Sequence, residues 1–388
     1  MKKILMLLES NYPPDLRVEN EIGTLIEADH HVTLLCRGTS DQVETDRGLT
    51  IIRRRISKFR AKTAIAHPWL RYYESFWRRH AFALISRHQF DVIHVHDLPL
   101  ARVGYELSRV CGARFVLDLH ENWPALLHEA THTKKLLGRI FHSDQAWQRF
   151  EERYVTIADR VIVVSELSAE RIVSAYFLLS PFVAVVRNTV NLDTMPTVAF
   201  TPAPADGILR IFYGGGLNKH RGIQTAIEAM KIINARGHAA VMLMIVGEGS
   251  YRKTLQRQAV GMPNVVFKHQ KSFPDFMRLL SESHIAIIPH LRNANNDTTC
   301  PHKIFQAMYA GVTVLASNCP YLMRVITDAN CGYWFEAGDA ELLAGTIEAI
   351  DHNRKLLDNG RNGIKAVLEK YNWAIDTKVL TEMYKGLK

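Results

Sequence analysis

Apolar runs of three to six residues recur along the chain, each followed by a polar turn and then by a stretch with apolar positions at helical spacing. The first six runs are Ile4–Leu8, Val32–Cys36, Val92–Val95, Phe115–Leu119, Val161–Val164 and Val183–Val186. A second set follows: Ile211–Tyr213, Val241–Val246, Val265–Phe267, Ile285–Ile288 and Val312–Ala316. Near-continuous apolar runs alternating with helices predict parallel strands buried on both faces. Two such sets predict two doubly wound α/β domains. Pro196 through Asp206, with three prolines and no periodicity, reads as the linker. Open parallel sheets bind ligands beyond the carboxyl ends of their strands, so two facing domains are expected to share a cleft.

Three stretches at predicted strand ends carry candidate chemistry. Gly214, Gly215 and Gly216 follow a strand and precede Lys219-His-Arg221, which suits close backbone approach to a ligand. Val246-Gly247-Glu248-Gly249 ends another strand. In Asp297-Thr298-Thr-Cys-Pro301-His-Lys303-Ile304-Phe-Gln306-Ala-Met-Tyr-Ala-Gly311, a polar loop meets a helix that starts at Pro301. Proline suits a first helical turn, whose free N–H groups and positive dipole end attract phosphate.

The last stretch resembles the donor-site motif of family 4 retaining glycosyltransferases of GT-B fold. That motif has one glutamate, seven residues, then a second glutamate in a Phe-Glu-x-Met-x-x-Gly string. Thr298 and Gln306 stand where those glutamates would be. The resemblance covers nearly the whole chain. It implies a GT-B α/β fold of two Rossmann-like domains facing a central cleft, with borders placed at 1–198 and 199–370. Residues 371–388 are implied to form a helix that crosses back to the first domain. It further implies transfer of a hexose, with retention and without a metal, from a UDP- or GDP-linked sugar to a lipid-linked or cell-surface glycan.

The residue roles follow from the same resemblance. Gly214–Gly216, Arg221, Gly247, Glu248, Lys303 and Ile304 are implied to hold the donor, with Arg221 in place of a family lysine. Gln306 keeps an oxygen acceptor for ribose hydroxyls and Thr298 a hydroxyl for the sugar. His120, in Asp118-Leu-His120-Glu121, matches a family string whose histidine lies beside the donor sugar. Asp15 and Arg17 resemble the family's acceptor-side loop, although capping by Asp15 and pairing of Arg17 with an acid explain them equally. A nucleotide sugar is then a co-substrate and no cofactor is expected. The missing acidic pair keeps an alternative open, a catalytically impaired GT-B scaffold that binds a partner. A nucleotide-sugar epimerase is a further rival of the same fold, without a clear set of acidic catalytic residues.

Charge sharpens the picture at one place. Of 388 residues, 48 are Lys or Arg and 39 are Asp or Glu. Residues 53–88 hold ten basic side chains and one acid, Glu74, while the rest of the chain balances at 38 and 38. Trp69, Tyr72, Tyr73, Phe76 and Trp77 are interleaved with those cations. Trp69, Tyr73, Trp77, Arg78 and Arg79 are therefore expected at an anionic membrane surface, with an amphipathic helix packed inward as the other explanation. No nucleic-acid motif accompanies the charge. No apolar run reaches eighteen residues, and Glu9 interrupts the only leader-like segment, so a cytoplasmic protein on the inner face of the cell membrane is expected. The five cysteines form no paired motif. His94 and His96 alternate on a strand, but the sequence places no third ligand, so no metal is expected.

Overall fold

The computed structural model describes residues 1–66, 68–129, 143–196, 204–237, 240–269 and 271–387. The chain folds as two compact units, one of Met1–Arg187 with Ala374–Lys388 and one of Asn188–Trp373. The linker expected at Pro196–Asp206 lies largely outside the described residues, since 197–203 are not among them.

In the first unit, β1 (Lys3–Asn11), β2 (His31–Gly38), β3 (Gln42–Asp46), β4 (Leu49–Arg55), β5 (Val92–His96), β6 (Arg114–Leu119), β7 (Arg160–Val163) and β8 (Val183–Val185) form one sheet. Its order is β3-β4-β2-β1-β5-β6-β7-β8. Every pairing is parallel except β3 with β4, a hairpin turned at Arg47-Gly48 with both residues at positive φ. The two hairpin strands escaped the sequence reading for a physical reason. β3 is fully exposed and polar, and β4 ends in the arginines that were read as part of a basic surface segment.

The second unit has β9 (Leu209–Gly214), β10 (Val241–Val246), β11 (Val265–Lys268), β12 (Ile285–Ile288), β13 (Thr313–Ser317) and β14 (Gly332–Phe335), in the order β11-β10-β9-β12-β13-β14. All of its pairings are parallel. Each sheet therefore has a switch point, β1/β5 in the first unit and β9/β12 in the second, where successive connections leave to opposite sides and a crevice opens at the carboxyl ends.

The last helix, Trp373–Lys385, belongs to the first unit from Ala374 onward. Tyr384 is buried with its hydroxyl 2.6 Å from His94 Nδ1, Thr377 meets Thr24 at 2.6 Å, and Asp376 accepts from Arg187 Nε at 2.9 Å. These polar contacts fix the helix on the first unit's own site.

One expectation fails outright. Tyr73 and Trp77, assigned to a membrane surface, are core residues. In the helix Tyr72–Ile85 they share a face with Phe76 and Ala81, and that face packs on the sheet, with the Trp77 ring edge-on to Phe76 and Tyr73. Burying an aromatic side chain is worth several kcal/mol, more than a rim contact to lipid returns. Trp69, Arg78 and Arg79 are exposed.

Candidate active site

The switch point of the first unit gathers ionisable groups from four elements. Arg17 opens the helix Leu16–Glu27, whose N-cap is Asp15, accepting from the Val18 N–H. That helical turn aims the guanidinium under the sheet's carboxyl edge, where it is 2% exposed. Arg17 Nη2 donates to Asp118 Oδ1 at 2.7 Å and Nε to Oδ2 at 3.1 Å, while Nη1 donates to the Val186 carbonyl at 2.7 Å. Nη2 also lies 3.0 Å from Glu21 Oε1. The acceptor-side expectation for Asp15 and Arg17 is thus replaced by its alternative. Asp15 caps a helix, and Arg17 spends its donors on buried acids, because a guanidinium out of water must be paired.

Asp118 is the hub. Its Oδ2 is 2.8 Å from His120 Nε2 and 3.3 Å from His96 Nδ1. Burial pushes its pKa up, but the charges of Arg17 and His120 win and hold it well below the usual carboxylate range. Burial also works against a charged His120, yet Asp97 and Asp118 outweigh it and raise that imidazole to about 10. His120 is therefore a cation at neutral pH, with Nε2 on Asp118 and Nδ1 3.6 Å from Asp97 Oδ2. The resemblance implies that His120 lies beside the donor sugar. The structure places both ring nitrogens beside carboxylates.

Glu21, His94, His96 and Asp118 bring ligand-type atoms within 4.8 Å of one another. Spacing along the sequence did not supply the two carboxylates, because they come from a helix 70 residues upstream and from the adjacent strand. The positive charge between those carboxylates is the Arg17 guanidinium, at 2.7 and 3.0 Å. Desolvation raises the Glu21 pKa, against the pull of Arg17, and lowers His96 to about 3, so His96 is neutral at pH 7.

One group at this edge, Glu9, was not singled out from sequence as part of a site. Glu9, at the end of β1, accepts from the Tyr73 hydroxyl at 2.9 Å, and burial raises its pKa to about 7. Burial likewise raises Asp97 to about 6. A carboxylate at the end of an apolar strand was the available signal for Glu9, which the sequence reading used only to reject a leader peptide.

In the second unit the switch point is built from nested loops. Gly247 has φ +151°, and a Cβ there would lie 1.9 Å from the Gly215 carbonyl. The Leu217 N–H bonds the Glu248 carbonyl at 2.8 Å and the Gly215 N–H bonds the Val246 carbonyl at 3.0 Å. Glycine is thus required where the β9 and β10 loops touch backbone to backbone. The side chain of Glu248 is turned outward, to His269 at 2.7 Å and Arg252 at 3.6 Å. Gly222, at φ +71°, abuts the Pro289 carbonyl after β12, and the Leu291 N–H bonds the His220 carbonyl at 3.0 Å. This ties Arg221 to the β12 loop, with Nη1 3.4 Å from His290 Nε2.

Lys303 lies in the first turn of the helix His302–Tyr309. Its ammonium is 4.5 Å from the centre of the Tyr213 ring, 3.3 Å from that hydroxyl and 3.0 Å from where a Gly215 Cβ would sit. Among the described residues it pairs with no carboxylate. Burial and then the Arg221 charge depress its pKa well below the ordinary lysine value, and the same two causes depress His290. The site therefore has an excess of positive potential that an anion would relieve.

Gln306 is buried, and its side-chain amide makes no hydrogen bond among the described residues. Thr298 is half-buried and donates to the carbonyls of Ala294 and Asn295 at 3.3 and 3.4 Å. Ile304 departs from its expected donor-binding role. Its side chain is in the core and its N–H is used on the Pro301 carbonyl at 3.2 Å. The sequence reading did not single out Tyr213, on β9, or His290, just after β12, which meet Lys303 and Arg221 respectively.

Known families match both halves. The model described as Glycosyltransferase Family 4 matches residues 17–194, and the one described as Glycosyl transferases group 1 matches residues 201–366. The chain belongs to the family 4 glycosyltransferases of GT-B fold. An uncharacterized glycosyltransferase of Methanocaldococcus jannaschii is 24% identical over 76% of this chain and 75% of its own. The phosphatidyl-myo-inositol mannosyltransferase of Mycobacterium leprae is 23% identical over 76% and 73%. Among solved structures, sucrose-phosphate synthase from Thermosynechococcus elongatus superposes with a TM-score of 0.78 at 18% identity, covering 100% of this chain and 99% of that one. Anabaena HepE in complex with UDP-glucose gives 0.69 at 14% identity, covering 99% and 100%. These matches are to transferases, and the scaffold alternative is not favoured.

Proposed function

We propose that this glycosyltransferase moves a hexose, with retention, from a UDP- or GDP-linked donor to a lipid-linked or cell-surface glycan, without a metal ion. The observation that carries the reading is the Lys303 ammonium, held without a carboxylate against the Gly214–Gly216 turn and beside Arg221. A diphosphate bound there would be met by two cations and by the positive dipole end of the helix that starts at His302. Relatives add support, since HepE was solved with UDP-glucose and a Staphylococcus aureus relative is named as a capsular polysaccharide biosynthesis glycosyltransferase.

In the reaction, the bond between the anomeric carbon and the diphosphate oxygen breaks as the acceptor oxygen bonds that carbon from the same face. The acceptor's proton passes to the departing phosphate, and Lys303 and Arg221 stabilise the growing negative charge. Gln306 is assigned to the ribose, Thr298 to the sugar, and His120 to orientation of the sugar as a cation.

The test is nucleoside diphosphate release from a panel of UDP- and GDP-hexoses, with the anomeric configuration of the product read by NMR. Lys303→Met and Arg221→Met are expected to lower kcat/KM by roughly 100-fold or more. Full activity in both variants, or no binding of UDP or GDP at millimolar concentration, overturns the reading.

A further inference from the structure

We infer that the first unit docks on an anionic phospholipid surface through a patch different from the one its sequence suggested. Phe59 is 73% exposed, Trp69 65% and Tyr72 41%. Phe59 lies in the short helix Lys58–Ala61, Trp69 in the turn that follows the 3-10 helix Lys62–Ile65, and Tyr72 opens the helix Tyr72–Ile85. Arg60 stacks on the Tyr72 ring at 4.3 Å, and the Phe59 and Tyr72 rings are 6.3 Å apart, so the two helices present one surface, and Trp69 is exposed three residues before Tyr72. Lys58, Lys62 and Arg79 are exposed around it. Arg79 falls seven residues after Tyr72, on the same helix face. Among the described residues, none of Lys58, Arg60, Lys62 and Arg79 pairs with a carboxylate. Arg78, by contrast, is 3.1 Å from Glu106, which also takes Arg71 at 3.4 Å.

Apolar aromatics ringed by unpaired cations match the interface of an anionic bilayer, where the rings enter the headgroup layer and the cations meet phosphate. The whole net charge of the chain, +9, arises within residues 53–88. A second exposed apolar group, Phe177 and Leu179, follows the helix Glu166–Tyr176 and lies outside that basic stretch. It serves as the internal contrast.

The patch also has a defined place on the sheet. β4 leaves the sheet at its carboxyl end, into Lys58–Ala61, and Tyr73 beside Tyr72 bonds Glu9 at the carboxyl end of β1. The lipid-facing surface therefore lies at the edge that also carries Asp97 and His120. Docking there would present a membrane-anchored acceptor to that edge. This narrowing of the acceptor rests on the proposed transfer, whereas the docking itself does not.

The experiment is co-sedimentation of the full chain with vesicles of phosphatidylcholine alone or with added phosphatidylglycerol, at low and high salt. Binding is expected only with phosphatidylglycerol, and is expected to weaken as salt rises. Lys58→Gln with Lys62→Gln is expected to weaken it by about 30-fold, from roughly fivefold per cation. Phe59→Ser with Trp69→Ser is expected to weaken it at least as much, and Phe177→Ser with Leu179→Ser to leave it unchanged. Retained UDP binding shows that each variant is folded, and vesicle binding is read without transfer activity. The inference is overturned by equal binding to phosphatidylcholine, by no vesicle binding, by loss only in the Phe177/Leu179 variant, or by tighter binding to duplex DNA than to vesicles.

Discussion

Arg17 grips Asp118 through two bonds, Nε to Oδ2 at 3.1 Å and Nη2 to Oδ1 at 2.7 Å, and so joins the first helix of the chain to its sixth strand. Both side chains are almost wholly buried, and Asp118 in turn fixes His120 at 2.8 Å. Removing one partner leaves a charge out of water. Arg17→Met is expected to destabilise the protein by about 3–5 kcal/mol, measured by denaturant unfolding, whereas Asp15→Ala, which removes a helix cap, should cost about 1 kcal/mol. Equal costs would mean that the pair is not the structural centre of this edge.

Titration of His120 gives a stability signature. Its folded pKa of about 10 lies above the unfolded value of 6.5. The folded state therefore binds the proton more tightly, and that stabilisation is complete below pH 6.5 and lost as pH rises through 10. Glu21, whose pKa burial raises from 4.5, acts in the same direction. Wild type is expected to lose roughly 3 kcal/mol more than His120→Asn between pH 7 and pH 10. Parallel losses in the two proteins would contradict the charged assignment.

Glu9 and Tyr73 form a separable pair. Burial is the main cause of the raised Glu9 value of about 7, and the Tyr73 hydroxyl opposes it by stabilising the carboxylate. Tyr73→Phe is expected to move the Glu9 titration upward, read by carboxyl carbon NMR. A downward move would show that the hydroxyl does not donate to the carboxylate.

The glycines of the second unit divide by what surrounds them. A Cβ at Gly247 meets the Gly215 carbonyl at 1.9 Å and takes a φ of +151°, whereas one at Gly216 meets only the Asn218 amide at 3.5 Å. Gly247→Ala is expected to abolish UDP binding in calorimetry and to lower Tm. Gly216→Ala should change affinity by less than about threefold. Loss in both would place the nucleotide contact on Gly216 itself.

Two tryptophans eight residues apart test core against surface. Trp77 is fully buried and Trp69 is 65% exposed. Trp77→Ala is expected to cost about 3–5 kcal/mol and Trp69→Ala under about 0.5 kcal/mol in unfolding.

The alternation of apolar runs and helices determined the two doubly wound sheets, because a strand buried on both faces needs an unbroken apolar stretch wherever it sits. Motif order likewise announced the Gly214 turn, the Gly247 turn and the Pro301 helix start, since each is a local backbone requirement. Partnership was decided only in three dimensions. The sequence could not say that Arg17 turns inward to Asp118, or that Glu21 joins His94 and His96. Nor could it say that Tyr73 and Trp77 face the core while Phe59 and Tyr72 face outward. Helical spacing fixes which side chains share a face, but the sheet against which a helix packs fixes which face is hidden. Charge and protonation follow from that choice, because it is burial and the neighbours it brings that move Glu9, His120 and Lys303 from their ordinary values.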